Sequence, residues 1–133
     1  MVTFADGRSE RMRMHEYDRV YAIPGLYEEL LQRQLHCRSP AKAAEVVVRA
    51  AHLNDRHVRS LRVLDLGAGN GVVGELLRAH GVELHVGADG ILAARDAAER
   101  DRPGLYAEYV VGESDIGDYL ATQAHSAEAM HRR

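Results

Sequence analysis

Apolar residues in the first part of the chain recur at the three- and four-residue spacing of amphipathic helices. One stripe runs from Leu26 to Leu35, after a break at Ile23-Pro24-Gly25. A second stripe runs from Ala44 to Ala51, where Ser39 suits the N-cap and Pro40 suits the first helical position. The pattern therefore predicts two helices, followed by a polar connector that ends at Ser60.

From Leu61 onward, short apolar segments alternate with helical stripes. This succession is typical of a parallel sheet whose strands are connected by helices. The predicted strands cover residues 61–66, 82–86 and 105–111, and the helices between them begin near Val72 and Ile91. A last helix is expected to begin with Asp115 as its cap and to carry Ile116, Tyr119, Leu120 and Ala127.

Length and composition agree with a single globular domain of the α/β class. The chain has 133 residues, 46% of them hydrophobic, and a mean hydropathy of -0.33. Within that domain we expect an N-terminal helical segment over residues 1–60, a parallel α/β unit over 61–115, and a C-terminal helix or tail over 116–133.

Cysteine content and hydropathy exclude two classes of protein. The one cysteine, Cys37, cannot form an internal disulfide, so a disulfide-rich secreted module is excluded. No apolar run approaches the ~20 residues of a membrane helix, and the segment from Met1 to Val20 is too charged for a signal peptide. We therefore expect a cytoplasmic protein that does not enter a membrane.

The charge balance limits the partners that we expect. Seventeen Lys and Arg residues against 20 Asp and Glu residues give a formal net charge of -3, which offers no basic surface to a nucleic-acid backbone. The pairs His52/His57 and His80/His85 are five residues apart, a spacing that does not place two rings on one helix face. We predict neither a nucleic-acid partner nor a metal site.

The segment with the clearest chemical meaning is Val63-Leu64-Asp65-Leu66-Gly67-Ala68-Gly69-Asn70-Gly71, a strand that runs through three alternating glycines into a helix. Glycines permit a sharp turn and let a ligand lie against the backbone, and a helix N-terminus offers free amide donors. Asp89 follows at the end of the second strand, where a carboxylate can accept hydrogen bonds from both ribose hydroxyls. Together these features predict a nucleoside site.

Two nucleoside ligands have to be distinguished. Residues Gly69 to Gly74 match the dinucleotide pattern G-x-G-x-x-G, but such a fingerprint begins where the strand ends, at Gly67, and its third glycine then falls on Val72. The carboxylate of Asp65 would also repel a pyrophosphate, whereas it suits a ligand with ammonium and sulfonium groups. An NAD-linked oxidoreductase is therefore the less favoured hypothesis.

The same residues resemble a known family, the class I S-adenosylmethionine-dependent methyltransferases. Asp65 to Gly71 resembles the family's first motif, D-x-G-x-G-x-G, and Val86-Gly87-Ala88-Asp89 resembles the segment that ends in its ribose-binding acid. The resemblance covers about residues 61–115. It implies a partial methyltransferase fold, with a Rossmann-like parallel sheet in the strand order 3-2-1 behind the N-terminal helices.

The resemblance also implies roles for individual residues. Gly67, Gly69 and Gly71 would surround the methionine part of S-adenosylmethionine, Asp65 would orient its amino group, and Asp89 would hold the ribose. An acid after the third strand would lie near the adenine amine, with Glu113 as first choice and Asp115 as second. The cofactor-binding residues that we predict are Asp65, Gly67, Ala68, Gly69, Asn70, Gly71, Asp89, Gly90 and Glu113.

Structural interpretations stay open beside these roles. The glycines could form a turn that binds nothing, Asp89 could cap the helix that follows it, and Glu113 could be an ordinary loop residue. Tyr17 and Tyr21 precede the sheet, where the family often folds a segment over the cofactor, but tyrosines at helical spacing also pack in cores. We interpret Cys37 as structural, because the sequence shows no oriented base beside it.

The chain differs from the family in its length after the motif. The family sheet has seven strands with the first one central, whereas the 73 residues from Leu61 onward accommodate about three strand–helix units. The first strand would then be an open edge, available for self-association or covered by the C-terminal helix. We expect a methyltransferase, truncated after its cofactor-binding part, or alternatively a non-catalytic cofactor-binding remnant or interaction module. Neither the methyl acceptor nor a catalytic residue can be named from the sequence.

Overall fold

The N-terminal part of the chain begins with a short hairpin that hydrophobic periodicity does not predict. The computed structural model describes residues 1–131, apart from the side chains of residues 84 and 127–131. Strands β1 (Val2–Thr3) and β2 (Ser9–Glu10) pair antiparallel, and helix α1 (Tyr17–Ala22) follows them. These elements have only two to six residues, which is too short for a periodic pattern to emerge.

The Leu26–Leu35 stripe does not form one regular α-helix. A single α-helical turn, α2 (Leu26–Glu28), continues as a π-helix over Glu29–Gln34. A π-helix closes its hydrogen bonds five residues apart, so the three- and four-residue spacing no longer aligns the leucines on one face. Leu35 consequently remains 55% exposed.

Helix α3 (Ser39–Leu53) agrees with the predicted stripe, with its start displaced by one residue. Ser39 is the first helical residue and Arg38 occupies the N-cap, so Ser39 does not act as the cap. Pro40 lies in the first turn, where its missing amide hydrogen costs nothing. At the other end the Asn54 side chain donates to the carbonyl of Ala50 over 2.8 Å.

The second part of the chain is an α/β unit with a parallel three-stranded sheet, as predicted. Its strands are β3 (Arg62–Leu66), β4 (Leu84–Asp89) and β5 (Glu108–Val111), and they lie in the order β3-β4-β5. Helices α4 (Val72–Ala79) and α5 (Leu92–Asp101) connect them. The predicted order 3-2-1 is therefore confirmed, although β4 and β5 each begin two or three residues later than predicted.

Helices α3 and α4 pack against each other over one face of the sheet and bury the main core. Its centre consists of Ala44, Leu77 and Val82, with Val63 of β3 packed against them. A smaller core lies between α1 and α5, where Tyr21 packs on Ala94 and Ala97.

The last helix, α6 (Glu113–His131), packs against β5 and β4 and leaves the edge strand β3 open. It begins at Glu113, so Asp115 lies in its first turn and is not its cap. A cleft of about 480 Å³ separates Leu64 of β3 from Leu120 of α6. The helix thus does not lie over the open edge, where Leu66 is 60% exposed. Tyr119 also lines the cleft, and the side chain of Ala127 lies outside the described residues.

Among residues 1–131, none of the helices combines the length and the apolar character that crossing a bilayer requires.

Candidate functional site

Three predicted site residues lie at one end of the sheet because parallel strands bring their carboxyl ends together. Asp65 lies one residue before the end of β3, Asp89 is the last residue of β4, and Glu113 follows β5 after one glycine. Register pairs Asp65 with Gly87 and Asp89 with Val111. This is the edge at which open α/β sheets bind their ligands.

Asp89 joins the glycine loop to the start of α5. Its Oδ2 accepts a hydrogen bond from the Gly69 amide over 3.0 Å, and its Oδ1 accepts one from the Ile91 amide over 3.1 Å. The helix itself begins at Leu92 with Ile91 as its N-cap and has no side-chain cap, so Asp89 stabilises the turn that precedes the helix and is not its cap. Each carboxylate oxygen can accept a second hydrogen bond, so this role is compatible with binding two ribose hydroxyls.

The glycine loop satisfies its own backbone amides. Gly67 and Ala68 both donate to the carbonyl of Ala88, over 2.8 and 3.0 Å, and Gly71 donates to the carbonyl of Ala68 over 3.0 Å. The three loop glycines have φ values of 72°, 56° and 93°, the left-handed region that other residues rarely adopt. Free amide donors, which the motif leads one to expect, are thus already engaged at these positions.

The missing side chains of the glycines make room for tyrosines of the same chain. A Cβ on Gly74 would lie 2.7 Å from the Tyr106 hydroxyl, and a Cβ on Gly87 would lie 2.8 Å from the Tyr109 ring. A Cβ on Gly69 would collide with the hydroxyl of Tyr21. Gly74, which completes the dinucleotide pattern, is therefore explained by Tyr106 without any nucleotide.

Asp65 is a half-buried carboxylate with one hydrogen-bond donor. The Tyr106 hydroxyl donates to its Oδ2 over 2.8 Å. Burial raises the pKa of Asp65 above its ordinary value, the hydrogen bond from Tyr106 opposes that change, and the charge of Asp89 adds to it. The site therefore holds two neighbouring carboxylates, and a cationic ligand group would stabilise both.

Tyr21 and Tyr109 enclose the loop from two elements. The Tyr109 hydroxyl donates to the Gly69 carbonyl over 2.7 Å. Tyr21, only 6% exposed, stacks between Tyr17 and Tyr27, with ring centroids 6.2 and 4.9 Å away. Burial raises the pKa of both Tyr21 and Tyr109, so each remains a neutral hydroxyl at ordinary pH. Tyr21 thus packs in the core and also covers the loop.

Asn70 connects the loop to α2 and is only 2% exposed. Its amide nitrogen donates to Glu28 Oε1 over 2.7 Å, and Arg102 donates to the Asn70 carbonyl over 3.2 Å. Arg102 also pairs with Glu28 and Glu75, over 3.1 and 2.9 Å. This network makes Asn70 a structural residue of the loop.

The remaining predicted residues differ in exposure. Ala68 is buried, while Gly67, Gly90 and Glu113 are exposed around the end of the sheet. A side chain at Gly67 or Gly90 would meet no atom within 4 Å, so both positions border open space. With Glu113 they are the exposed members of the predicted set, whereas Asp65 and Asp89 are half-buried.

Sequence reasoning did not identify Tyr106, Tyr109 or Arg102 as site residues. Each contacts the motif from 32 to 41 positions away in the sequence. No spacing rule relates them to the glycines. A signal was nevertheless present in Gly74 and Gly87, because glycines inside a helix or a strand often mark a close approach by another group.

The wider surroundings supply no further assignment. In the part of the chain that the structure describes, no group of three or more His, Cys, Asp or Glu side chains is placed to hold a metal ion. Comparison with protein-family models gives no match, and comparison with curated proteins gives none.

Proposed function

We propose that this chain binds S-adenosylmethionine at the carboxyl end of its parallel sheet and is the cofactor-binding part of a methyltransferase. One observation carries the proposal: Asp65 and Asp89 lie beside the glycine loop, and neither forms an ion pair with any described side chain. Two uncompensated carboxylates favour a ligand that carries positive charge. An ammonium group and a sulfonium centre meet that requirement.

The loop geometry argues against a dinucleotide at the same place. A pyrophosphate is bound by free backbone amides and by a helix N-terminus, without a carboxylate next to it. Here the amides of Gly67, Ala68, Gly69 and Gly71 all donate to acceptors in the chain. The apparent third glycine, Gly74, serves the packing of Tyr106. The loop geometry therefore supports an NAD-linked oxidoreductase less than the G-x-G-x-x-G pattern does.

The residues present fit the cofactor by their chemistry. Asp65 Oδ1 has no donor among the described residues and would accept from the ammonium group, while Asp89 would accept from the ribose hydroxyls. Glu113 is an exposed acceptor after β5, as the resemblance requires for the adenine amine. The cofactor, when bound, supplies an electrophilic methyl group. The chain's own residues would bind and orient the cofactor, and Tyr21 covers Gly69.

Calorimetric titration with S-adenosylmethionine, S-adenosylhomocysteine and NAD tests the proposal. We expect heat with the first two ligands and none with NAD. Asp65→Asn should weaken binding of both about 10- to 100-fold, because a hydrogen bond to a charged group contributes about 1.5–3 kcal/mol. Asp118→Asn, which changes the net charge equally on the exposed face of α6, should leave the affinity unchanged. Binding of NAD alone would contradict the proposal.

The open edge of β3 favours a second candidate, a cofactor-binding module without catalysis. A three-stranded sheet with an exposed Leu66 offers less surface for a methyl acceptor than a larger sheet would. Release of S-adenosylhomocysteine from S-adenosylmethionine in the presence of cell extract distinguishes the two. Turnover that Asp89→Ala abolishes supports the enzyme, whereas binding without turnover supports the module.

A further inference from the structure

The Asp65 carboxylate is oriented by one side chain. We propose that Tyr106 is a positioning residue, whose hydroxyl holds Asp65 Oδ2 so that Oδ1 is presented to the cationic end of the ligand. The identity of that ligand rests on the proposed function. The effect of the Tyr106 hydrogen bond on Asp65 does not rest on the proposed function, because it can be measured in the protein without ligand.

The Tyr106 ring is closely packed on several sides. A Cβ on Gly71, Gly74 or Gly87 would lie 3.3, 2.7 or 3.1 Å from atoms of this side chain. On its other sides the ring meets His85 and Tyr109 edge to face, with centroids 5.0 and 5.4 Å away. The ring therefore packs against three glycines and two other rings, and this packing orients its hydroxyl toward Asp65.

Oδ1 of Asp65 is left for a ligand. Within the described part of the chain this oxygen accepts no hydrogen bond. It is not fully buried, so part of its surface contacts solvent. The two oxygens therefore have different roles. Oδ2 is committed to Tyr106, and Oδ1 is accessible.

The charges around the pair determine how Tyr106 affects the ionisation of Asp65. The charge of Asp89, at the end of β4, acts on Asp65. The charge of Asp65 in turn acts on Tyr109 of β5, whose neutral hydroxyl is bonded to the Gly69 carbonyl. Arg102, after α5, acts on Tyr106, and buried His85 packs on its ring. Burial raises the pKa of Tyr106, so its hydroxyl remains a donor throughout the range in which Asp65 titrates.

Titration of the Asp65 carboxyl carbon by NMR, without ligand, tests the hold directly. Tyr106→Phe keeps the ring in its seat and removes only the donor. We expect the titration midpoint of Asp65 to move upward by about one pH unit, because the charged form loses its hydrogen bond. Tyr109→Phe is the matched control, since its hydroxyl bonds the Gly69 carbonyl and should leave the midpoint within a few tenths of a unit.

Binding of S-adenosylhomocysteine across pH supplies the functional measurement. The affinity of Tyr106→Phe should fall about fivefold at the original Asp65 midpoint and about tenfold well below it, and this pH-dependent loss should disappear at higher pH, where the carboxylate is charged without help. A merely structural defect would lower the affinity by the same factor at every pH. The proposal is overturned if the Asp65 midpoint does not move, or if Tyr109→Phe moves it equally. A shifted midpoint in a protein that binds neither adenosyl ligand would support the hold on Asp65 and reject the proposed function.

Discussion

Replacing Gly74 by alanine tests whether Tyr106, and no bound nucleotide, requires this glycine. In an unhindered helix interior the change stabilises a protein by about 1 kcal/mol. At Gly74 the new Cβ would lie 2.7, 2.9 and 3.0 Å from three atoms of the Tyr106 side chain. Tyr106 is itself confined by its neighbours, so it can yield only by breaking its hydrogen bond to Asp65.

The magnitude follows from those contacts. A lost hydrogen bond to a charged group costs about 1.5–3 kcal/mol, and an extra methyl in a packed site costs about 1–3 kcal/mol. The gain in helix propensity offsets about 1 kcal/mol of that loss. We therefore expect Gly74→Ala to lower the free energy of unfolding by about 1.5–5 kcal/mol, which is a large part of the stability of a small domain.

Gly117→Ala is the matched control, because Gly117 lies inside α6 and a Cβ there would meet no atom within 4 Å. It should raise the free energy of unfolding by about 0.5–1 kcal/mol. Urea unfolding followed by far-UV circular dichroism measures both variants. Equal stabilisation by the two alanines would refute the reasoning. In a Tyr106→Phe background the destabilisation by Gly74→Ala should shrink by at least about 1 kcal/mol. If the effects of the two substitutions on stability are additive, the new Cβ does not collide with the Tyr106 hydroxyl.

Two further predictions concern the buried histidine and the open edge. His85 is 2% exposed, and neither ring nitrogen has a partner among the described residues. Burial lowers the pKa of His85 below its ordinary value, so the unfolded chain binds more protons. The free energy of unfolding should therefore fall as pH drops through about 6.5. His85→Phe keeps the edge-to-face contact with Tyr106 and should reduce that fall, as measured by urea unfolding at several pH values. An equal fall in both proteins would show that His85 is not responsible. We also expect the chain to self-associate through the open edge of β3. Leu66→Glu should weaken this association in sedimentation experiments, whereas Leu92→Glu, at a similarly exposed position on α5, should not. A chain that stays monomeric at high concentration would contradict pairing through β3.

The order of the main elements could be predicted from the sequence because it depends on local patterns. Short apolar segments indicated three strands, and stripes at helical spacing indicated the helices between them. The prediction was wrong where an element is short or irregular. The hairpin before α1 and the π-helix after α2 leave no periodic trace. The helices that begin at Ser39 and Glu113 start one and three residues earlier than predicted.

The candidate site divides in the same way. Asp65, the alternating glycines and Asp89 could be recognised in the sequence, because a turn with positive φ and an acid at a strand end are local requirements. What the glycines accommodate could not be recognised, since Tyr21, Tyr106 and Tyr109 reach them from distant parts of the chain. The sequence by itself determined where the backbone turns and where two carboxylates follow strands. Only the tertiary structure decided that the loop amides are engaged and that one tyrosine holds Asp65, because both depend on which side chains the packing brings together.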